Sequence, residues 1–349
     1  MGMIVALIAC IPATTATHAQ TQEPSTVLIS SRAVALNQET GKVYAVETSR
    51  SAVSVFDPQT RSISSIRVGT GPIAIAVNAT TNRVYVANSG GGSVSVIDGK
   101  SDSVLATFNV GPRPYVVAVN AATNRIYVSN TFSDRITVID GATNSTTTLK
   151  AGSADAIAVD SRLDKIYLLG YEGTDLTVLN SMPSIVGKVP VGIHAWAMAL
   201  NETTGTLYVT RSGSSELAMA DEVSGVITKV PTGAIPCAVA VHPLTNTAYV
   251  ANYGDDTVTV VDGVKRTVIA TVKVGKNPQA VAVDPQRNRV YVANSHGNSV
   301  TVIDGARNTV LRTVRTGRNP YALAVDPSSG RLYVALFGDP SLAVIDPNH

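Results

Sequence analysis

Residues 71–111 read GPIAIAVNATTNRVYVANSGGGSVSVIDGKSDSVLATFNVG, and this pattern decides the fold. Four short apolar runs, Ile73–Val77, Arg83–Ala87, Ser93–Ile97 and Ser103–Val110, are separated by turns rich in Asn, Gly, Asp, Ser and Thr. Such a pattern predicts a four-stranded antiparallel meander, with Asp98-Gly99 as one hairpin turn. The first run is apolar at consecutive positions, which predicts burial on both faces, and the last is the most polar.

Working outward, the tyrosine of the second run recurs as Tyr44, Tyr85, Tyr127, Tyr167, Tyr208, Tyr249, Tyr291 and Tyr333, at spacings of 40 to 42 residues. A period near forty built from four strands predicts an all-β fold, the β-propeller, with one sheet per blade. Eight units are counted, so eight blades are expected, with seven as the alternative. The eighth unit stops at Val344-Ile345-Asp346 and lacks a fourth run, while an orphan apolar run, Ser25–Ser30, precedes the first unit. The N-terminal run is therefore expected to close the last blade. Charges such as Lys273, Arg312 and Arg315 on the fourth runs suit edge strands that must not pair with another molecule.

Charged residues make up 15% of the chain and hydrophobic ones 44%, which excludes a disordered polypeptide. The net charge of +2 announces neither a nucleic-acid nor a membrane partner, so an electrostatic partner would have to read a local patch. Met3–Ile11 is an apolar run followed by small and polar residues to Ala19, which reads as a cleaved signal peptide over 1–19. One β-propeller domain is expected over 20–349, as a periplasmic, secreted or cell-surface monomer with no membrane span. Lipid anchoring at Cys10, in Leu7-Ile8-Ala9-Cys10, is the second reading of the leader. Cys237 then stands alone, which leaves no disulfide, haem or zinc signature.

The repeats Tyr85-Val86-Ala87-Asn88, Tyr127-Val128-Ser129-Asn130, Tyr249-Val250-Ala251-Asn252 and Tyr291-Val292-Ala293-Asn294, with flanking G-x-x-P-x-A-V-A-V and V-I-D-G, resemble the YVTN-repeat, or YncE-like, β-propellers. The resemblance runs from about Ala33 to the end. It implies an extracytoplasmic protein, and it brings no shared catalytic motif.

Candidate site residues come from positions where the units disagree. Five residues before the Asn, Asp or His that ends each first run stand Arg32, Ile73, Tyr115, Asp155, Trp196, Cys237, Gln279 and Tyr321. The loop just ahead adds Arg113, His194, Lys276 and Arg318, and the loops between second and third runs add Phe132, Arg135, Tyr171, Glu172, Arg211, Tyr253, Asp255, His296 and Phe337. All are expected on one face, at the mouth of the central channel, while the uniform turns occupy the other. The ligand-binding set is read as Arg32, Arg113, Tyr115, Asp155, His194, Trp196, Lys276, Gln279, Arg318 and Tyr321. A non-enzymatic binding module for a protein, glycan or small ligand is the primary reading, with no cofactor and no metal. Single-stranded nucleic acid is an alternative ligand, since stacking rings and cations are interleaved. A lyase or lactonase working through Asp155 and His194 is the other alternative. Asn is replaced by Glu47, Gly170, Arg211 and Leu336 in four units, either as functional sectors or by drift.

Overall fold

The computed structural model describes residues 33–337 and 342–347, together with the backbone strand Ser25–Val27. The leader over 1–19, Cys10 and Arg32 lie outside the described residues. The chain is an all-β propeller of eight four-stranded antiparallel blades. The described residues fall into two compact units that divide between Pro190 and Val191, with blades 1 to 4 in the first and blades 5 to 8 in the second.

Blade 2 shows the plan: strand a is Pro72–Asn78, b is Arg83–Asn88, c is Ser93–Asp98 and d is Ser103–Asn109. Within each unit, strands a of consecutive blades pack together, and strands d lie at the exposed edge. The eighth blade has Pro320–Val325, Leu332–Leu336 and Leu342–Ile345, and its fourth strand is Ser25–Val27, with Ser25 opposite Val344. The N-terminal run thus completes the last blade, as its missing fourth run requires. Burial differs from expectation in one respect. Strands b and c are the most completely buried, whereas Ile75, Ala76 and Val77 of strand a are only half-buried. The reason is that b and c have a hydrogen-bonded neighbour on each side, while a is the inner edge of its sheet.

The repeated tyrosines fill the spaces between blades. Tyr85 packs with Val117, Ile126 and Val128 of blade 3, Tyr208 with Val239 and Val250 of blade 6, and Tyr291 with Leu323 and Val334 of blade 8. Their hydroxyls reach the next blade: Tyr208 donates to Asn246 Oδ1 at 2.8 Å, and Tyr44 to Asp102 Oδ1 at 3.1 Å. The asparagines ending strand a work beside them. Asn37 Nδ2 donates to Asn82 Oδ1 at 2.6 Å, Asn78 to Asn124 at 2.9 Å, and Asn201 to Asn246 at 2.6 Å. The uniform turns are therefore an inter-blade latch, and that is why they do not vary.

The V-I-D-G turn also differs in detail from a two-residue hairpin. Asp98 Oδ1 accepts the amides of Lys100 and Ser101 at 2.8 and 2.9 Å, an Asx-type turn, and the left-handed residue is Asp102 at φ +52°. The amide of Ser101, then that of Lys100, and the Arg83 guanidinium hold the Asp98 carboxyl down at about 2. Gly99 is required for close approach, because a Cβ there would collide with Asn82 and Asn37.

The Asn of the Y-V-x-N repeat is a buried hub. Asn294 Nδ2 donates to Ser299 Oγ at 3.1 Å and Thr301 Oγ1 at 2.9 Å, and Asn88 and Asn252 do the same with strand c of their own blades. Where Asn is missing, the partner changes with it. Buried Glu47 accepts from Ser54 and pairs with Arg50, and buried Arg211 pairs with Glu216 while Ala218 replaces the hydroxyl residue. These exchanges keep Glu47 and Arg211 buried and paired at the hub position.

Strand d carries a β-bulge at Leu105, Val186, Ile269 and Leu311, each an extra residue between paired positions. Bulges twist an edge away from regular pairing, so these exposed strands are protected by shape as well as by charge.

Candidate functional site

One loop design recurs ahead of strand a. The residue before its first Pro or Ala has a left-handed backbone: Gly71, Arg113, His194, Ile235, Asn277 and Asn319, with φ from +50° to +62°. Its carbonyl accepts the amide of the first residue after strand b. The pairs are Ser89 to Gly71, Thr131 to Arg113, Ser212 to His194, Tyr253 to Ile235, Ser295 to Asn277 and Phe337 to Asn319, at 2.9–3.0 Å. This clamp brings the a-entry loop and the b–c loop of each blade to the same end of the sheet.

Two residues further on, strand a bulges. Pairing skips Ile73, Tyr115, Cys237, Gln279 and Tyr321 against strand b, and in blade 5 it skips Trp196 and Ala197. The register at which the units disagree is thus the bulge itself. A bulge re-aims a side chain, so a one-residue irregularity in the backbone is the device that turns this position out of the sheet pattern.

What the bulge residues do differs by blade. Ile73 and Cys237 are buried. Cys237 Sγ donates to the Pro278 carbonyl at 3.2 Å, and burial pushes its thiol up to about 12, so it is a packing residue and no nucleophile. Tyr115, Trp196, Gln279 and Tyr321 are half-buried. Trp196 packs against the blade 5 core of Ala197, Tyr208 and Leu217, which gives it a structural share that its loop-entry position concealed. Tyr321 lies against Phe337 with ring centroids 6.2 Å apart and planes tilted by 37°. Arg113, His194, Lys276 and Arg318 are exposed on the entry loops.

Blade 4 has no bulge, and the residue just before its strand a is not left-handed; the positive φ of its entry loop is at Gly152, at +88°. Asp155 replaces the clamp: its Oδ2 accepts the Tyr171 amide at 2.8 Å, and its own amide donates to Leu169 O at 2.6 Å. The carboxylate does here the work that a backbone carbonyl does in the other blades, and so holds the loop. Asp255 and Asp256 behave alike, Asp255 Oδ2 taking the Ala234 amide at 2.5 Å and Asp256 Oδ1 the Asn277 amide at 2.8 Å.

In the second unit, blades 6 to 8 gather rings and cations. Tyr253 meets His296 edge-on, with centroids 6.2 Å apart and its hydroxyl 3.4 Å from Nδ1. The Gly297 amide donates to Lys276 O at 3.1 Å, which sets the lysine beside His296. Blade 8 adds Arg318, Tyr321 and Phe337. Among the described residues, neither Arg113 nor Lys276 is held in an ion pair, and no group of three or more His, Cys, Asp or Glu is placed to hold a metal ion. Tyr253, His296 and Phe337 outside the ligand-binding set were legible as loop aromatics; their pairing was not, because Tyr253–His296 joins blades 6 and 7 and Phe337 meets Tyr321 from another loop of blade 8.

Residues 237–337 match the model of the YNCE-like beta-propeller family, which bears out the resemblance carried by the repeats. No curated protein is a significant match. Among solved structures, the chain is similar to Kuenenia stuttgartiensis hydrazine synthase, at 16% identity and a TM-score of 0.65, over 95% of this chain and 99% of that one. It is also similar to the dihydro-heme d1 dehydrogenase NirN in complex with DHE, at 14% identity and a TM-score of 0.71, over 91% of this chain and 76% of that one. Likeness at such identities is a likeness of fold.

Proposed function

We propose that this YncE-like β-propeller is a non-enzymatic binding module that works outside the cytoplasm and holds a small molecule, glycan or protein at the strand-a entry. The observation that carries the reading is the bulge: one backbone irregularity recurs, and the residues placed on it vary from blade to blade. A scaffold that repeats its backbone while varying one side chain suits recognition. That a dehydrogenase of the same fold is in complex with DHE agrees with a ligand-holding role for the architecture.

Single-stranded nucleic acid is the second reading, and one observation favours it. Asp155, Asp255 and Asp256 are engaged by backbone amides, while Lys276 and Arg113 are outside ion pairs among the described residues; exposed Glu172 on the b–c loop of blade 4 is a charge against this reading. Titration of an oligothymidylate and of a neutral oligosaccharide at two salt concentrations tests both. Tyr321→Ala should weaken a stacked ligand by about 1–3 kcal/mol. For the oligonucleotide, Lys276→Ala should lower the salt slope by nearly one. A ligand bound equally well by wild type and both variants would place the site elsewhere.

A further inference from the structure

The b–c loop of blade 3 goes against two local preferences. Phe132 has a left-handed backbone at φ +59°, a region that penalises a bulky residue, and its ring is 90% exposed, so packing within the fold does not offset the strain. Counted two residues past the end of strand b, the same position is Gly90, Gly213 and Gly254 in blades 2, 5 and 6. In blades 2, 5, 6 and 7 the left-handed residue comes later, at Gly92, Ser215, Asp256 and Asn298. The second anomaly is Arg135, directly opposite Lys150 across strands c and d of blade 3, where like charges are unfavourable. Both are exposed, and Asp134 pairs with Lys150 at 3.0 Å. Arg113 joins them through the clamp from the Thr131 amide to its carbonyl.

We propose that this loop docks blade 3 on an anionic lipid surface, with Phe132 at the boundary of headgroups and acyl chains and Arg113, Arg135 and Lys150 against the lipid phosphates. A single ring at a loop tip surrounded by cations lacks the contiguous apolar centre of a protein interface. On a lipid surface the same elements suffice, because a buried ring and each cation contribute separately. Glu172 and Asp175, on the corresponding loop of blade 4, are opposing charges on the neighbouring blade. The proposal is independent of the ligand held at the bulges.

The test is sedimentation of the full chain with vesicles of phosphatidylcholine alone or with about one-third phosphatidylglycerol, the anionic arm supplying the charge that these cations read. Wild type should sediment with the anionic vesicles only, and salt of about 1 M should release it. Phe132→Gly should lower the partition at least about tenfold, and Arg135→Ala about fivefold. The thermal melt separates docking from folding: Phe132→Gly should melt at or above wild type, since glycine relieves the left-handed strain. Failure of wild type to bind anionic vesicles, equal binding by Phe132→Gly, or a lower melt for that variant would each overturn the proposal. An acidic protein partner would show itself as the first of these outcomes.

Discussion

Gly275→Ala isolates the contact between the a-entry loop and the asparagine hub. Gly275 has a backbone that alanine adopts without strain, so in open space the change would stabilise by about 0.4–1 kcal/mol. The site is not open: a Cβ would lie 2.5 Å from Asn294 Nδ2, 2.6 Å from its Cγ and 2.9 Å from its Cβ. Asn294 is fully buried and cannot swing away without giving up its bonds to Ser299 and Thr301. Two lost hydrogen bonds and a stranded amide cost about 2–4 kcal/mol. The expected outcome is a loss of that size in urea denaturation. In an Asn294→Ala background the amide and Cγ are gone and only the Cβ contact at 2.9 Å remains, with no side-chain hydrogen bonds left to lose, so adding Gly275→Ala should cost less by about 2 kcal/mol, the coupling read from the double-mutant cycle. Gly187→Ala is the control, because a Cβ there meets nothing within 4 Å. A neutral or stabilising Gly275→Ala single variant, or equal effects with and without Asn294, would refute the reasoning.

Three further outcomes are expected. Tyr249→Ala should cost about 3–5 kcal/mol as a large core truncation, and Tyr208→Phe about 1 kcal/mol through the Asn246 bond; urea melts would read both. Burial raises the phenols of Tyr249, Tyr291 and Tyr333 to about 12 from 10.0 and moves Tyr44, Tyr85, Tyr127 and Tyr208 the same way. Because the folded values are raised, that stability is complete below pH 10 and drains away as pH climbs toward 12, so tyrosinate absorbance from these rings should appear together with loss of circular dichroism. Truncation to start at Ala33 removes Ser25–Val27 from Leu342–Ile345, and the bared edge should lower the melting temperature and promote association, seen by calorimetry and light scattering.

The tyrosine ruler made the blades and the borrowed strand legible, because every blade faces the same packing problem and answers it with the same residue. The candidate face was legible as a register of disagreement, and the bulge explains why disagreement collects there. Side-chain fate was not legible. Cys237 and Tyr321 hold equivalent positions, yet one points at a carbonyl of the next blade and the other lies beside Phe337. The partner of Asp155, the Tyr171 amide, lies sixteen residues away across a loop, and nothing in the sequence pattern announces it. Trp196 reads as a binding residue at the entry of blade 5, and a bulge beside Ala197 also lays the indole on the core. Gly99 looked like a turn residue, and only the neighbouring blade shows that it clears space for Asn37.

The borrowed strand also sets an order of events. Ser25–Val27 is among the earliest parts of the propeller to be synthesised, and Leu342–Ile345 among the last. At about 5–20 residues per second, the roughly 300 residues between them separate the two partners by some 15–60 s of synthesis. Throughout that time the N-terminal strand has no mate, and the eighth sheet cannot be completed by any fragment that lacks either end of the chain. Completion of the propeller is thereby tied to synthesis of the strands of its eighth blade.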